Sequence, residues 1–242
     1  MQSETSGIMK FSLLSCIGLG INLCLPPIPS IRGTTMDIVL ATHNRHKVEE
    51  IRSAVGDLPV CWMTLEDFPH IGDIEETGKT LLENSLLKAR TVHGITGLPA
   101  LADDTGLEVD ALNGAPGVHS ARWAGENATF EDNINKLLAE MKNVPSANRS
   151  ARFRSVISLV KGDDEAWVEG SVEGLITESP QGTSGFGYDP VFFLPQKGKT
   201  FAELSLEEKN KTSHRGAALK KFRHLLKNQL AGQSEKREDI SL

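Results

Sequence analysis

A mixed α/β domain, with an elongated mixed central β-sheet flanked by helices, is the fold class the sequence predicts, and three observations predict it. Short apolar runs alternate along the chain with amphipathic stretches of helical period, the pattern of strands layered against helices. Two long alternating segments, 151–161 and 165–176, flank Gly162-Asp163-Asp164, a hairpin signal that brings antiparallel strands into the sheet. The composition, 39% hydrophobic and 24% charged over 242 residues, is globular and excludes a disordered chain, a collagen-like repeat and a disulfide scaffold.

In chain order, residues 1–35 stand apart. Residues 9–25 run from Met-Lys into an apolar stretch that ends at Pro26-Pro27-Ile28-Pro29, in the manner of a short signal peptide. The run is shorter than the roughly 20 apolar residues a spanning helix takes, and no A-x-A-like cleavage site follows it. The expectation is an N-terminal extension outside the fold, followed by one domain over residues 36–230. Residues 37–41 form the first strand, and Val48, Ile51 and Val55 recur at helical spacing directly after it. A second strand at 60–64 precedes a helix opened by the capping box Thr80-Leu-Leu-Glu83, with Leu82, Leu86, Ala89 and Val92 along its apolar stripe. A short strand at 99–102 leads into Asp103-Asp104-Thr105-Gly106. Thr129 caps a helix through Met141, the hairpin follows, and a strand at 190–193 precedes a helix capped by Ser213 that ends near Asn228. Residues 231–242 read as a polar tail.

Charge and composition narrow the function. A net charge of -6 argues against a protein that lives on nucleic acid, which needs a basic face to displace counterions from phosphates. The three cysteines, Cys16, Cys24 and Cys61, form no C-x-x-C and no zinc set, and read as reduced thiols. Gly78-Lys79-Thr80 and Gly198-Lys199-Thr200 imitate the end of a P-loop, but the glycine that motif requires is Asp73 in one and Phe193 in the other.

Several stretches carry chemistry. Thr42-His43-Asn44-Arg45-His46-Lys47 lies between the first strand and the first helix, where helix N–H groups and the positive dipole end offer a phosphate seat; an ordinary cap at Thr42 with a solvated Lys47 is the structural alternative. Asp103-Asp104 follows an apolar strand, and Glu75-Glu76 gives a second acidic pair before the second helix. Glu76 and Asp104 together suit a Mg2+ that keeps most of its waters and takes substrate phosphates as further ligands; solvated turn acids are the alternative. Asn84 and Lys88 share one helix face toward that site. Phe186-Gly187-Tyr188-Asp189 places aromatics among glycines, as a base-stacking slot or a tight core loop. His214 and Arg215 put basic groups in the first turn of the last helix, against its dipole, an arrangement that favours a ligand opposite them.

Taken in order, T-x-N-x-x-K, E-E-T-G followed by N-x-x-x-K, A-D-D-[ST]-G-L-x-V-D, G-A-P-G-V-x-S-A-R, G-F-G-Y-D-P and S-H-R-G-x-A-L resemble the inosine triphosphate pyrophosphatase family over residues 36–226. The resemblance implies a homodimer of two-lobed α/β subunits with the active site in the cleft between the lobes. It implies a cytoplasmic, Mg2+-dependent enzyme that hydrolyses non-canonical purine nucleoside triphosphates (XTP, ITP, dITP) to the monophosphate and pyrophosphate, with no nucleic-acid or membrane partner. Carried onto this chain, Thr42, His43, Asn44, Arg45, His46 and Lys47 cradle the phosphates, assisted by Lys88. Glu76 and Asp104 hold the metal, and Asp104 accepts the proton of the attacking water. Thr105 contacts substrate, Phe186, Gly187, Tyr188 and Asp189 form the base pocket, and Lys209, His214 and Arg215 close over the base. Thr105 stands where the family commonly has Ser, and Ser85 where it usually has Ala. Two rivals remain open at this point: a non-catalytic nucleotide sensor, and an exported binding protein should residues 9–25 be a signal.

Overall fold

The computed structural model describes residues 35–238, so the expected extension, apart from Thr35, and the last residues of the expected tail lie outside the described residues. β1 (Met36–Leu40) leads through a tight turn into α1 (Arg45–Val55), β2 (Val60–Thr64), α2 (Leu81–Thr96) and β3 (Ala100–Val109). The short β4 (Pro116–Gly117), α3 (Phe130–Glu140), the hairpin of β5 (Ser150–Lys161) and β6 (Asp164–Ile176), β7 (Phe192–Leu194) and β8 (Lys199–Thr200) follow. α4 (Leu206–Thr212) and α5 (His214–Glu238) complete the described chain.

All eight strands join one mixed sheet, in the order β2-β1-β3-β5-β6-β7-β8 with β4 against β3. β1 pairs parallel with β2 and β3, and the remaining pairs are antiparallel. Alternation of side chains along the strands divides the core by face. Ile38, Leu40, Leu101 and Ile157 pack against Ile51 and Val55 of α1 and Leu219 and Phe222 of α5. On the opposite face, Val39, Ala41, Ala102 and Val160 pack against Leu86, Ala89 and Val92 of α2. A third cluster joins the far half of β3 and β5 (Leu107, Val109, Phe153) to α3 and the aromatic residues Phe192 and Phe201.

The strand expected at 99–102 runs on to Val109, which places Asp103 and Asp104 inside a strand rather than at its end. The cause is long-range pairing: the parallel ladder with β1 stops at Leu40↔Leu101, whereas the antiparallel ladder with β5 continues through Asp104↔Val156 to Val109↔Ala151. On its other edge β3 next pairs at Leu107↔Gly117. The stretch between is open, and the site forms there.

α2, α3 and the hairpin match the sequence expectation, down to the caps by Thr80 and Thr129 and the left-handed Gly162 at φ 60°. Ser213 accepts from Gly216 N at 3.1 Å at the start of α5 as expected, but the helix continues to Glu238 in place of the expected early tail, through Gln, Glu, Lys and Arg residues of good helix propensity. α5 lies directly on β6: a Cβ at Gly170 would stand 2.2 Å from the His214 carbonyl oxygen, so only glycine admits the approach. Among the described residues no helix is long and apolar enough to cross a membrane.

Candidate active site

Three structural layers meet at a cavity of about 590 Å³ beside the open stretch of β3. At one end is the β1–α1 turn. Asn44, rather than Thr42, caps α1, its Oδ1 accepting from His46 N at 3.0 Å and Lys47 N at 3.3 Å, while Thr42 Oγ1 accepts from Asn44 N at 3.2 Å. Two of the helix amides expected to face a phosphate are therefore held by the cap. Thr42, His43, Asn44 and Lys47 line the cavity. Arg45 is not brought to it; the side chain is 84% exposed and pairs with Glu66 at 3.0 Å. His46 also lies off the lining and stacks on Phe186 instead, with ring centroids 5.1 Å apart.

In the middle, neighbouring positions on β3 face opposite ways, so the two aspartates do opposite things. Asp104 points to α2. Its Oδ2 accepts from Asn84 Nδ2 at 3.2 Å, and its Oδ1 lies 3.5 Å from Lys88 Nζ, which also contacts Glu76 Oε1 at 2.5 Å. Asn84 Oδ1 in turn accepts from Gly78 N at 2.7 Å, which fixes the acidic loop against the strand. Arg122, which the sequence reading left unassigned, donates to the Glu76 carbonyl oxygen at 3.1 Å. Burial raises the Asp104 carboxyl above its ordinary value, with Glu76 and Asp103 adding to the effect against the lysines. Lys88, buried as well, is nevertheless raised because Asp104 and Glu76 outweigh desolvation.

Asp103 points to α1 and α5. Burial works against its charge, yet Lys47 at 3.2 Å and Arg215 at 2.9 Å hold the carboxyl well below the usual range. Lys47 is lowered by its own burial, against the pull of Asp103. Arg215, 1% exposed, donates to Asp103, to Glu50 and to Thr105 Oγ1 at 3.0 Å. Glu50 also receives Lys209 at 2.8 Å, and Lys209 reaches Asp189 at 2.6 Å. A buried ladder of alternating charge thus runs from Lys47 to Asp189 along the floor of the site. The side chains expected to read the base, Lys209 and Arg215, are engaged within it, as is the Thr105 hydroxyl.

At the far end, Asp189 accepts from Phe186 N at 2.8 Å and shapes the glycine loop. A Cβ at Gly185, φ 79°, would stand 2.1 Å from Asp189 Oδ2. Tyr188 lines the cavity, but its hydroxyl donates to the Ser120 carbonyl oxygen at 2.9 Å. His214 is buried and stacked on Phe153 at 4.6 Å, and burial holds its ring far below the ordinary histidine value, hence neutral. Its Nδ1 has no partner among the described residues. Ser85, the departure noted above, is accommodated by a buried contact to Ser158 Oγ at 2.7 Å and a bond to the Ala102 carbonyl oxygen at 3.1 Å.

A basic turn at one end, two carboxylates around a shared cation in the middle and an aromatic, hydrogen-bonding slot at the other, all at the open edge of a mixed sheet, define an α/β enzyme that handles a phosphorylated ring compound. The chain belongs to the Ham1 family, whose model matches residues 38–225. It is 52% identical over 197 residues to the dITP/XTP pyrophosphatase of Geobacter sulfurreducens, covering 81% of this chain and 97% of that protein. Against the dITP/XTP pyrophosphatase of Escherichia coli strain K12 the identity is 48% over 194 residues, covering 79% and 98%. The solved structure of a HAM1 protein from Coxiella burnetii superposes with a TM-score of 0.74 at 43% identity, over 80% of this chain and 100% of that one.

Proposed function

We propose that this chain is a nucleoside-triphosphate pyrophosphatase that hydrolyses XTP, ITP and dITP to the monophosphate and pyrophosphate, removing deaminated purines from the nucleotide pool. The observation that carries the chemistry is the Asp104–Lys88–Glu76 cluster: two carboxylates converge on one cation at 3.5 and 2.5 Å, beside a basic turn. Those hard oxygen donors fit Mg2+, an ion that completes its shell with water and phosphate oxygens. When bound, the ion supplies charge for the phosphates and acidifies nearby water.

The residues divide the remaining work. Lys47 and Lys88 hold the phosphate oxygens and neutralise charge that develops as the bridging oxygen leaves. Asn84 orients the Asp104 carboxylate. Asp104 takes the proton of a water whose oxygen forms a bond to the α-phosphorus as the bond to the departing pyrophosphate breaks; its burial makes it a stronger base than a solvated aspartate. Phe186 stacks on the purine. At position 6, hypoxanthine and xanthine present an acceptor for the N–H donors that line the base end of the cavity, Lys209, His214 and Arg215. Adenine presents a donor there and leaves them unpaired, a mismatch that discriminates by as much as about 10⁴-fold; guanine shares the acceptor, so its rejection falls to position 2. Two copies of the chain forming a homodimer, and a cytoplasmic site of action where the nucleotide pool resides, complete the reading.

The test is pyrophosphate release from ITP, XTP, dITP, GTP and ATP, with Mg2+ or with EDTA, together with the mass of the particle by light scattering. Mg2+-dependent release from ITP, XTP and dITP, with ATP and GTP hardly touched, is the expected outcome. Tight binding without turnover would make the protein a nucleotide sensor instead.

A further inference from the structure

The loop that carries the purine platform fixes its backbone but not its ring. Phe186, between Gly185 at φ 79° and Gly187 at φ 60°, donates its amide to Asp189 at 2.8 Å, while the contacts of its ring come from other elements. Lys209 Nζ lies 4.6 Å from the ring centroid, and Phe130, from α3, approaches at 6.1 Å with a tilt of 45°. One neighbour lies parallel to it. The His46 imidazole is 5.1 Å from the Phe186 centroid at an interplanar angle of 11°. His46 belongs to the first turn of α1, and its amide donates to the Asn44 cap at 3.0 Å, so its position is set by the same turn that lines the phosphate end of the cavity.

We infer that His46 is a positioning residue: it does not hold phosphate but braces Phe186 as the platform for the purine ring, and so ties the phosphate turn to the base loop. The inference rests on the pyrophosphatase reading for its substrate and on the ring geometry for its mechanism. Because one element serves both ends, engagement of the triphosphate at the turn and stacking of the base on Phe186 reinforce each other. Loss of a stacked pair of this kind should weaken nucleotide affinity by about 3- to 10-fold, which converts to about 0.6–1.4 kcal/mol.

The experiment compares the full chain with His46→Ala and His46→Phe, three proteins that should fold alike because His46 is exposed. It reads KM and kcat for ITP, and calorimetric Kd values for ITP and for inorganic tripolyphosphate, which has no base. The expected result for His46→Ala is a rise of about 3- to 10-fold in both KM and Kd for ITP, with the effect on KM rather than kcat, tripolyphosphate binding within about 2-fold of wild type, and recovery in His46→Phe. An unchanged Kd for ITP in His46→Ala overturns the inference. So does a parallel loss of tripolyphosphate binding that phenylalanine does not rescue, since that would make His46 a phosphate ligand. Absence of turnover in the wild type would remove the enzymatic reading alone, because the Kd comparison still decides the role of His46.

Discussion

Two adjacent aspartates become compatible when a strand turns them to opposite faces. Asp103 meets Lys47 and Arg215 and stays ionised, whereas Asp104 meets Asn84 and Lys88 and is raised by burial. One carboxylate therefore organises cations and the other is left to accept a proton. From this division, Asp104→Asn should lower kcat for ITP by at least about 100-fold while KM changes little, since the amide keeps the shape and the bond to Asn84 geometry but has no basic oxygen pair. Steady-state kinetics with a melting curve on the same sample checks it; near-normal turnover would remove Asp104 from the proton transfer. The pairing of Asp104 with Glu76 was legible in the sequence because both acids sit in short motifs of small and polar residues. The separate duty of Asp103 was not, because it depends on which face of a strand each residue takes, and the strand was expected to end at residue 102.

At the scale of elements, α1, α4 and α5 are joined under the site by charge as well as by apolar packing. Glu50 of α1 accepts from Lys209 of α4 and Arg215 of α5, and Arg215 spans 165 residues of sequence to reach it. Local signals revealed the helices: Thr80 with Glu83, the Gly162 turn and the apolar stripes all act within a few residues. Glu50 and Arg122 escaped notice because their partners come from distant segments, and nothing in a run such as Val48-Glu49-Glu50-Ile51 says which glutamate is buried. Arg215, expected to close over the base, lines the cavity and also donates to Asp103, Glu50 and Thr105, so it joins the helices beneath the site as well. Arg215→Ala should therefore destabilise the fold by about 3–5 kcal/mol, the usual cost of stranding buried charges by removing their partner. Urea denaturation measures this directly; a loss under about 1 kcal/mol would mean that the ladder does not hold the helices together.

For the whole molecule, the buried carboxylates pull stability in two directions as pH falls, and the signs separate them. Glu50 and Asp103 have folded values below their ordinary 4.5 and 3.8, Glu50 because Arg215 and Lys209 outweigh its burial, Asp103 because Lys47 and Arg215 do the same. Their contribution is complete above those ordinary values and is lost as pH drops through the lower folded ones. Asp189 behaves oppositely: burial, with Glu50 adding, raises it above 3.8 despite Lys209, so its ionisation weakens the fold at neutral pH and the penalty is relieved on mild acidification. His214, buried and held neutral below its ordinary value, adds a loss as pH drops below about 6.5, where only the unfolded chain takes the proton. The ligand-free protein should then show a melting temperature that declines gently from pH 7 to about pH 5, offset in part by Asp104 and Asp189, and falls steeply below about pH 4. The variants assign the limbs. Asp189→Asn should steepen the gentle decline between pH 7 and about pH 5, because the relief its protonation supplies is gone, and Glu50→Gln should lower stability at neutral pH while making the acid limb shallower, because the carboxylate whose protonation drives part of it is gone. Differential scanning measurements at constant ionic strength read both effects. An acid limb as steep in Glu50→Gln as in the wild type would show that the ladder beneath the site does not govern acid unfolding, and would move that role to the β5–β6 face, where Arg154 meets Glu169 at 2.7 Å and holds its carboxyl below the ordinary value.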